Sequence, residues 1–97
     1  MTVGELIEYR RILGFTQAQM ARAMHISARA FFDVEAQDRD ADLSERHMAL
    51  LERFSLSEAI QRRNLDVALP AIRRDARAFM DLFEGRTLER IFPNLPG

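Results

Sequence analysis

Apolar residues recur along the chain at the three- and four-residue intervals that place side chains on one face of a helix. Leu6, Ile7 and Leu13 share such a face, Thr2 followed by Glu5 is a capping-box pairing, and Gly14 offers a stop, which predicts a first helix over about residues 2–13. Thr16 with Gln19 repeats the pairing, and Met20, Ala21 and Met24 supply an inward face until His25-Ile26-Ser27 interrupts it, predicting a short helix over about 16–24. Ser27 can cap a third helix, in which Ala30, Phe31 and Val34 recur and which runs out near Gln37. The polar stretch Asp38-Arg39-Asp40-Ala41-Asp42 reads as a loop. Asp42 or Ser44 can cap a helix carrying Met48, Leu51 and Phe54, and Ser55 or Ser57 can start another short one that ends before Asn64. Five helices are therefore expected within residues 1–63.

Beyond them the pattern changes. Leu65, Leu69, Ile72, Ala76, Phe79 and Phe83 alternate by four and three residues, the spacing of a continuous apolar seam on one long helix. Pro70 fits only in a first turn, so this helix is expected to begin near residues 66–69 and to stop at Gly85. One more turn around Ile91 and Phe92 is expected before Pro93 and Pro96. The predicted organisation is a helical domain over 1–63 and a C-terminal segment, 64–97, that either packs on its own domain or pairs with a second copy.

Composition agrees with an all-α fold. With 97 residues the chain is long enough for one small domain with an appended element, and too short for a multi-domain enzyme. A hydrophobic fraction of 47% excludes a disordered chain, and 4 Gly and 3 Pro are too few turn formers for a sandwich of short strands. The absence of cysteine removes disulfides, thiolate metal sites and thiol nucleophiles. The 14 basic and 15 acidic residues leave a net charge of -1, so any nucleic-acid surface must be local rather than a global field. Met1-Thr2-Val3-Gly4-Glu5 lacks the basic-then-apolar run of a secretory signal, and no apolar stretch reaches the roughly 20 residues of a membrane span. A cytoplasmic protein without membrane contact is expected.

The stretch Thr16-Gln17-Ala18-Gln19-Met20-Ala21-Arg22-Ala23-Met24-His25-Ile26-Ser27-Ala28-Arg29-Ala30-Phe31-Phe32-Asp33-Val34-Glu35 resembles the helix-turn-helix of the XRE family, which contains the lambda-type repressors and Cro. A threonine-glutamine pair opens that family's second helix, a small residue stands at the position of Ala21, and an isoleucine or leucine followed by glutamate ends the third helix, where this chain has Val34-Glu35. The likeness extends upstream to Arg10 and Gly14 and downstream to the leucine-rich fourth helix, covering about residues 2–63. It implies a five-helix lambda repressor-like domain that binds double-stranded DNA as a homodimer. Such a protein is a bacterial or phage transcription regulator, a repressor foremost. By the same resemblance Arg10 and Glu35 form an interhelical ion pair, and His25 stands where the family usually has a turn glycine.

The implied DNA-contacting residues are Thr16 and Gln17 at the start of one helix, Ser27, Ala28, Arg29, Phe32 and Asp33 on the next, and Arg39 in the loop. A helix start presents unpaired N–H groups and the positive dipole end to a phosphate, which suits Thr16 and Gln17. Arg29 is the strongest base reader, able to grip guanine with two parallel hydrogen bonds. Ala28 and Phe32 can only touch a thymine methyl or pack sideways, and Phe32 fits better under the C-terminal segment or in a partner interface than against DNA. The six seam positions, Leu65, Leu69, Ile72, Ala76, Phe79 and Phe83, are the expected dimerisation surface, matching a two-fold protein to a two-fold operator. Two isolated histidines, His25 and His47, define no metal site, and no catalytic constellation or phosphate-cradling glycine loop is present; neither enzyme nor cofactor is expected. The acidic loop and the charge of -1 motivate a second reading, a protein-binding helix-turn-helix module such as an antitoxin or antiactivator that holds a partner protein.

Overall fold

A computed structural model describes residues 1–84, with side chains through Leu82. Every regular element among them is helical: α1 Val3–Leu13, α2 Gln17–Ala23, α3 Ala28–Glu35, α4 Glu45–Arg62, a 3₁₀ turn Leu65–Val67, and α5 Pro70–Glu84. The stop expected at Gly85 and the turn expected around Ile91 and Phe92 lie outside the described residues. The chain divides into two compact units, Met1–Phe54 and a second beginning at Ser55.

Local chemistry starts each helix of the first unit. The Thr2 hydroxyl accepts from Glu5 N–H while the Glu5 carboxylate accepts from Thr2 N–H, and Gly14 closes α1 in the left-handed region at φ 78°. Thr16 and Gln19 repeat the reciprocal pairing at α2, and Ser27 Oγ accepts from Ala30 N–H at α3. Each such cap satisfies backbone donors that a helix start leaves orphaned. Ser44, rather than Asp42, caps α4, its hydroxyl accepting from His47 N–H at 3.1 Å.

The loop between α3 and α4 is tied to the start of α1. Val3 N–H donates to the Ala41 carbonyl at 2.8 Å, Gly4 N–H to the Arg39 carbonyl at 2.9 Å, and Leu43 N–H to the Met1 carbonyl at 3.0 Å. A Cβ on Gly4 would stand 3.2 Å from the Arg39 carbonyl oxygen, so glycine permits this close approach. The acidic loop thus lies at the positive end of the α1 dipole, where negative charge is favoured.

The core of this unit gathers Val3, Leu6, Ile7 and Leu13 from α1, Met20, Ala21 and Met24 from α2 and its cap, Phe31 and Val34 from α3, and Leu51 and Phe54 from α4. Phe15 meets Phe54 edge to face, with ring centroids 5.5 Å apart. Phe31 is completely buried, worth about 2–3 kcal/mol of apolar transfer.

The helix start expected at Ser55 or Ser57 is not formed: α4 runs unbroken from Glu45 to Arg62. Ser55 is fully buried, and its hydroxyl accepts from Leu69 N–H at 3.1 Å. That serine therefore starts no helix, and its hydroxyl serves a backbone donor just ahead of α5. Pro70 is the first residue of α5, where the missing N–H costs nothing. Helix α4 ends through Arg63 in the left-handed region at φ 52°, with Asn64 N–H returning to the Ala59 carbonyl at 3.0 Å.

Candidate nucleic-acid interface

The geometry of α2 and α3 is set by one buried carboxylate. Glu35 Oε2 accepts from Arg10 Nε at 2.8 Å, and Glu35 Oε1 from Arg10 Nη2 at 3.0 Å, a two-pronged guanidinium–carboxylate pair. Arg10 Nη1 donates to the Phe15 carbonyl at 3.0 Å, and Gln17 Nε2 donates to Glu35 Oε1 at 2.7 Å. The side chains of Arg10 and Glu35 are only 13% and 4% exposed. Four pieces of chain are joined by this network: α1, the segment ahead of α2, the first residue of α2 and the last of α3. A pair so enclosed specifies an arrangement more than it adds stability, because desolvation offsets much of its attraction.

The turn between α2 and α3 is tight. Met24 N–H returns to the Met20 carbonyl at 2.9 Å and Ile26 N–H to the Ala21 carbonyl at 3.0 Å, with His25 between them at φ 59°. Histidine takes the left-handed conformation at a cost that glycine would avoid. Among the described residues α3 packs against both α2 and α1.

Sequence-predicted contact residues fall into four groups. Ala28, Arg29 and Asp33 lie on the exposed side of α3. Arg29 Nε stands 3.4 Å from Asp33 Oδ1, one helical turn on, with side chains 86% and 68% exposed. Thr16, Gln17 and Ser27 have structural employment: the Thr16 and Ser27 hydroxyls cap helices, and the Gln17 amide is bonded to Glu35. Arg39 stands apart from α3 and lies against the start of α1, with its Nε 3.5 Å from where a Gly4 Cβ would be. Phe32 is half-exposed at the edge of a cleft of about 490 Å³, which it lines with Ile7, Arg11 and the Arg10–Gln17–Glu35 network. Arg11 is exposed, and helix patterning gives no signal for it, since it occupies an ordinary solvent-side position of α1.

The predicted seam divides in the second unit. Leu69 is buried, Leu65, Ile72 and Ala76 are half-buried, and Phe79 is exposed; the Phe83 side chain lies outside the described residues. A groove of about 480 Å³ is lined by Leu56, Ile60, Ile72, Asp75, Ala76, Phe79 and Met80. Of these, Ile60, Phe79 and Met80 are exposed large apolar side chains, as is neighbouring Leu82. Leu56, Ile60 and Met80 extend the seam beyond its predicted members. The signal for them is the spacing of Leu56 from Ile60 and of Ala76 from Met80, one turn each, once α4 is taken as continuous.

No buried side-chain polar atom among the described residues lacks a hydrogen-bond partner. Among them no group of three or more His, Cys, Asp or Glu is placed to hold a metal ion, and no helix is long and apolar enough to cross a membrane. No protein-family model, curated protein or solved structure matches the chain.

Proposed function

We propose that the first unit is a helix-turn-helix domain of the XRE type that binds double-stranded DNA in a sequence-specific way and acts as a cytoplasmic transcriptional regulator. The observation that carries this reading is the Arg10–Gln17–Glu35 network, which locks α3 against α1 and α2 from one side while Ala28, Arg29 and Asp33 stay in solvent on the other. A helix held at its inner face and bare at its outer one is suited to a major groove about 12 Å wide. The protein works as a homodimer through the apolar face of the second unit, so that two α3 helices meet two half-sites of a palindromic operator, and it represses by excluding polymerase. No catalysis is involved.

Selection from a random double-stranded pool at about 150 mM salt tests the reading. Expected is an enriched two-fold-symmetric site, with Arg29→Ala costing about 1–3 kcal/mol of discrimination at one base pair per half-site. A bound pool no different from the input overturns it.

The second reading, a module that holds a partner protein, draws on a specific feature: the groove between Ile60, Ile72 and Phe79 is apolar, exposed and lined by no residue of α3. Recovery of a stoichiometric protein partner, together with DNA affinity that Arg29→Ala leaves unchanged, would favour it.

A further inference from the structure

Asp33 is an odd residue to find on a surface that meets phosphates, since a carboxylate there repels the backbone it approaches. Its geometry supplies a reason. The carboxylate lies on the Nε side of the Arg29 guanidinium, at 3.4 Å, and the two side chains are otherwise in solvent. A guanidinium has five N–H donors in a planar fork. With the carboxylate nearest Nε, the tip of the fork, one N–H from each terminal nitrogen, remains as a pair of donors suited to O6 and N7 of one guanine. A long arginine that is 86% exposed would otherwise have to be immobilised on binding, at an entropic cost that a neighbour one turn away reduces in advance.

We infer that Asp33 is a positioning residue that orients Arg29 end-on toward guanine, and that its second carboxylate oxygen accepts from the exocyclic amino group of a cytosine in the adjacent base pair. This rests on the DNA-binding reading above. Four residues of helix advance about 6 Å, nearly two base-pair steps of about 3.4 Å, but the side-chain tips converge to 3.4 Å, the spacing of neighbouring pairs. Each half-site therefore contains a guanine beside an amino-bearing cytosine, and Asp33 exchanges general affinity for discrimination. Its negative charge weakens binding to every sequence, while the pairing sharpens the preference for one.

The test uses the full chain and the site obtained by selection. Dissociation constants are measured for guanine against adenine at the Arg29 position, and for cytosine against thymine beside it, with the wild type, Arg29→Ala, Asp33→Ala and Asp33→Asn. The wild-type guanine preference is expected at ~5- to 150-fold, falling to near unity in Arg29→Ala. Asp33→Ala is expected to lose about fivefold of that preference and to relax the neighbouring position, while binding random DNA more tightly. Asp33→Asn retains an acceptor for Nε and keeps most of the guanine preference. Thermal midpoints of the Asp33 variants stay within about 2 °C of the wild type, because an exposed pair at this spacing contributes little stability. An Asp33→Ala ratio equal to the wild-type ratio overturns the positioning role and leaves DNA binding intact. A wild type without base preference overturns both.

Discussion

Phe31 and Phe79 are the same side chain on helices of the same chain, yet the first has no solvent exposure and the second is more than half exposed. Phe31 sits in the middle of an eight-residue helix, where residues of α1, α2 and α4 also turn inward, so that every large apolar group of the unit's core has partners on several sides. The described part of the second unit has the end of α4, a 3₁₀ turn and α5, and its buried apolar residues are Ala59, Ala68 and Leu69. Two amphipathic helices can turn only one stripe each toward the other, and α5 carries more apolar surface than that stripe holds. The difference separates a core enclosed within its own unit from an apolar face that the described residues of the second unit leave open to a cover. Under the proposed function, that cover is a second copy.

The comparison can be broken most severely at Phe31. Phe31→Ala is expected to cost about 3–5 kcal/mol in urea unfolding, through lost burial and the cavity left behind. A cost below about 1 kcal/mol would mean that the first unit is not organised around this ring. Next comes Glu35→Ala, which strands the Arg10 and Gln17 donors in a part-buried site; about 3 kcal/mol is expected from the same measurement. Replacing Arg10 and Glu35 together by Met and Leu should recover most of that loss, since both charges then leave together.

On the second unit the expectation is the reverse. The double change Ile60→Glu with Phe79→Glu should leave unfolding free energy within about 0.5 kcal/mol per monomer, because both side chains are exposed. Light scattering should nevertheless report a fall from two chains to one. A wild type that is monomeric at tens of micromolar would overturn the pairing of second units.

The smallest effect is in acid. The Glu5 carboxyl is held below the usual carboxylate range, first by the Thr2 backbone N–H and then by the Thr2 hydroxyl. A lowered folded-state value stabilises the protein above the ordinary carboxylate pKa and is lost as pH falls through the lowered one. The gap in thermal midpoint between the wild type and Glu5→Gln should therefore hold steady above about pH 5 and close on acidification. A gap that widens in acid contradicts the assigned hydrogen bonds.

Helix starts are legible in the sequence wherever donor and acceptor are three residues apart. Thr2 with Glu5, Thr16 with Gln19 and Ser27 with Ala30 each form as their spacing predicts. Position 55 shows the opposite case. Its serine looks like a helix start by local rules, but the hydroxyl answers a backbone group fourteen residues away, which no local pattern encodes. Gln17 behaves similarly: its place at a helix start suggests a solvent-facing amide, whereas its partner Glu35 comes from the end of α3. The Arg10–Glu35 pair is legible only through resemblance, because twenty-five residues separate its members. The Arg29–Asp33 spacing is visible on any helical projection, but the pairing gains meaning only once both side chains are known to stand in solvent.

The clasp of the α3–α4 loop on the start of α1 carries a consequence for local opening. The first amides of a helix ordinarily exchange their protons with water fastest, having no carbonyl to hold them. Val3 and Gly4 are held by Ala41 and Arg39 instead, so their deuterium uptake should follow release of the loop rather than fraying of the helix end. The two ends of a forty-residue stretch would then become labelled together, as one cooperative piece.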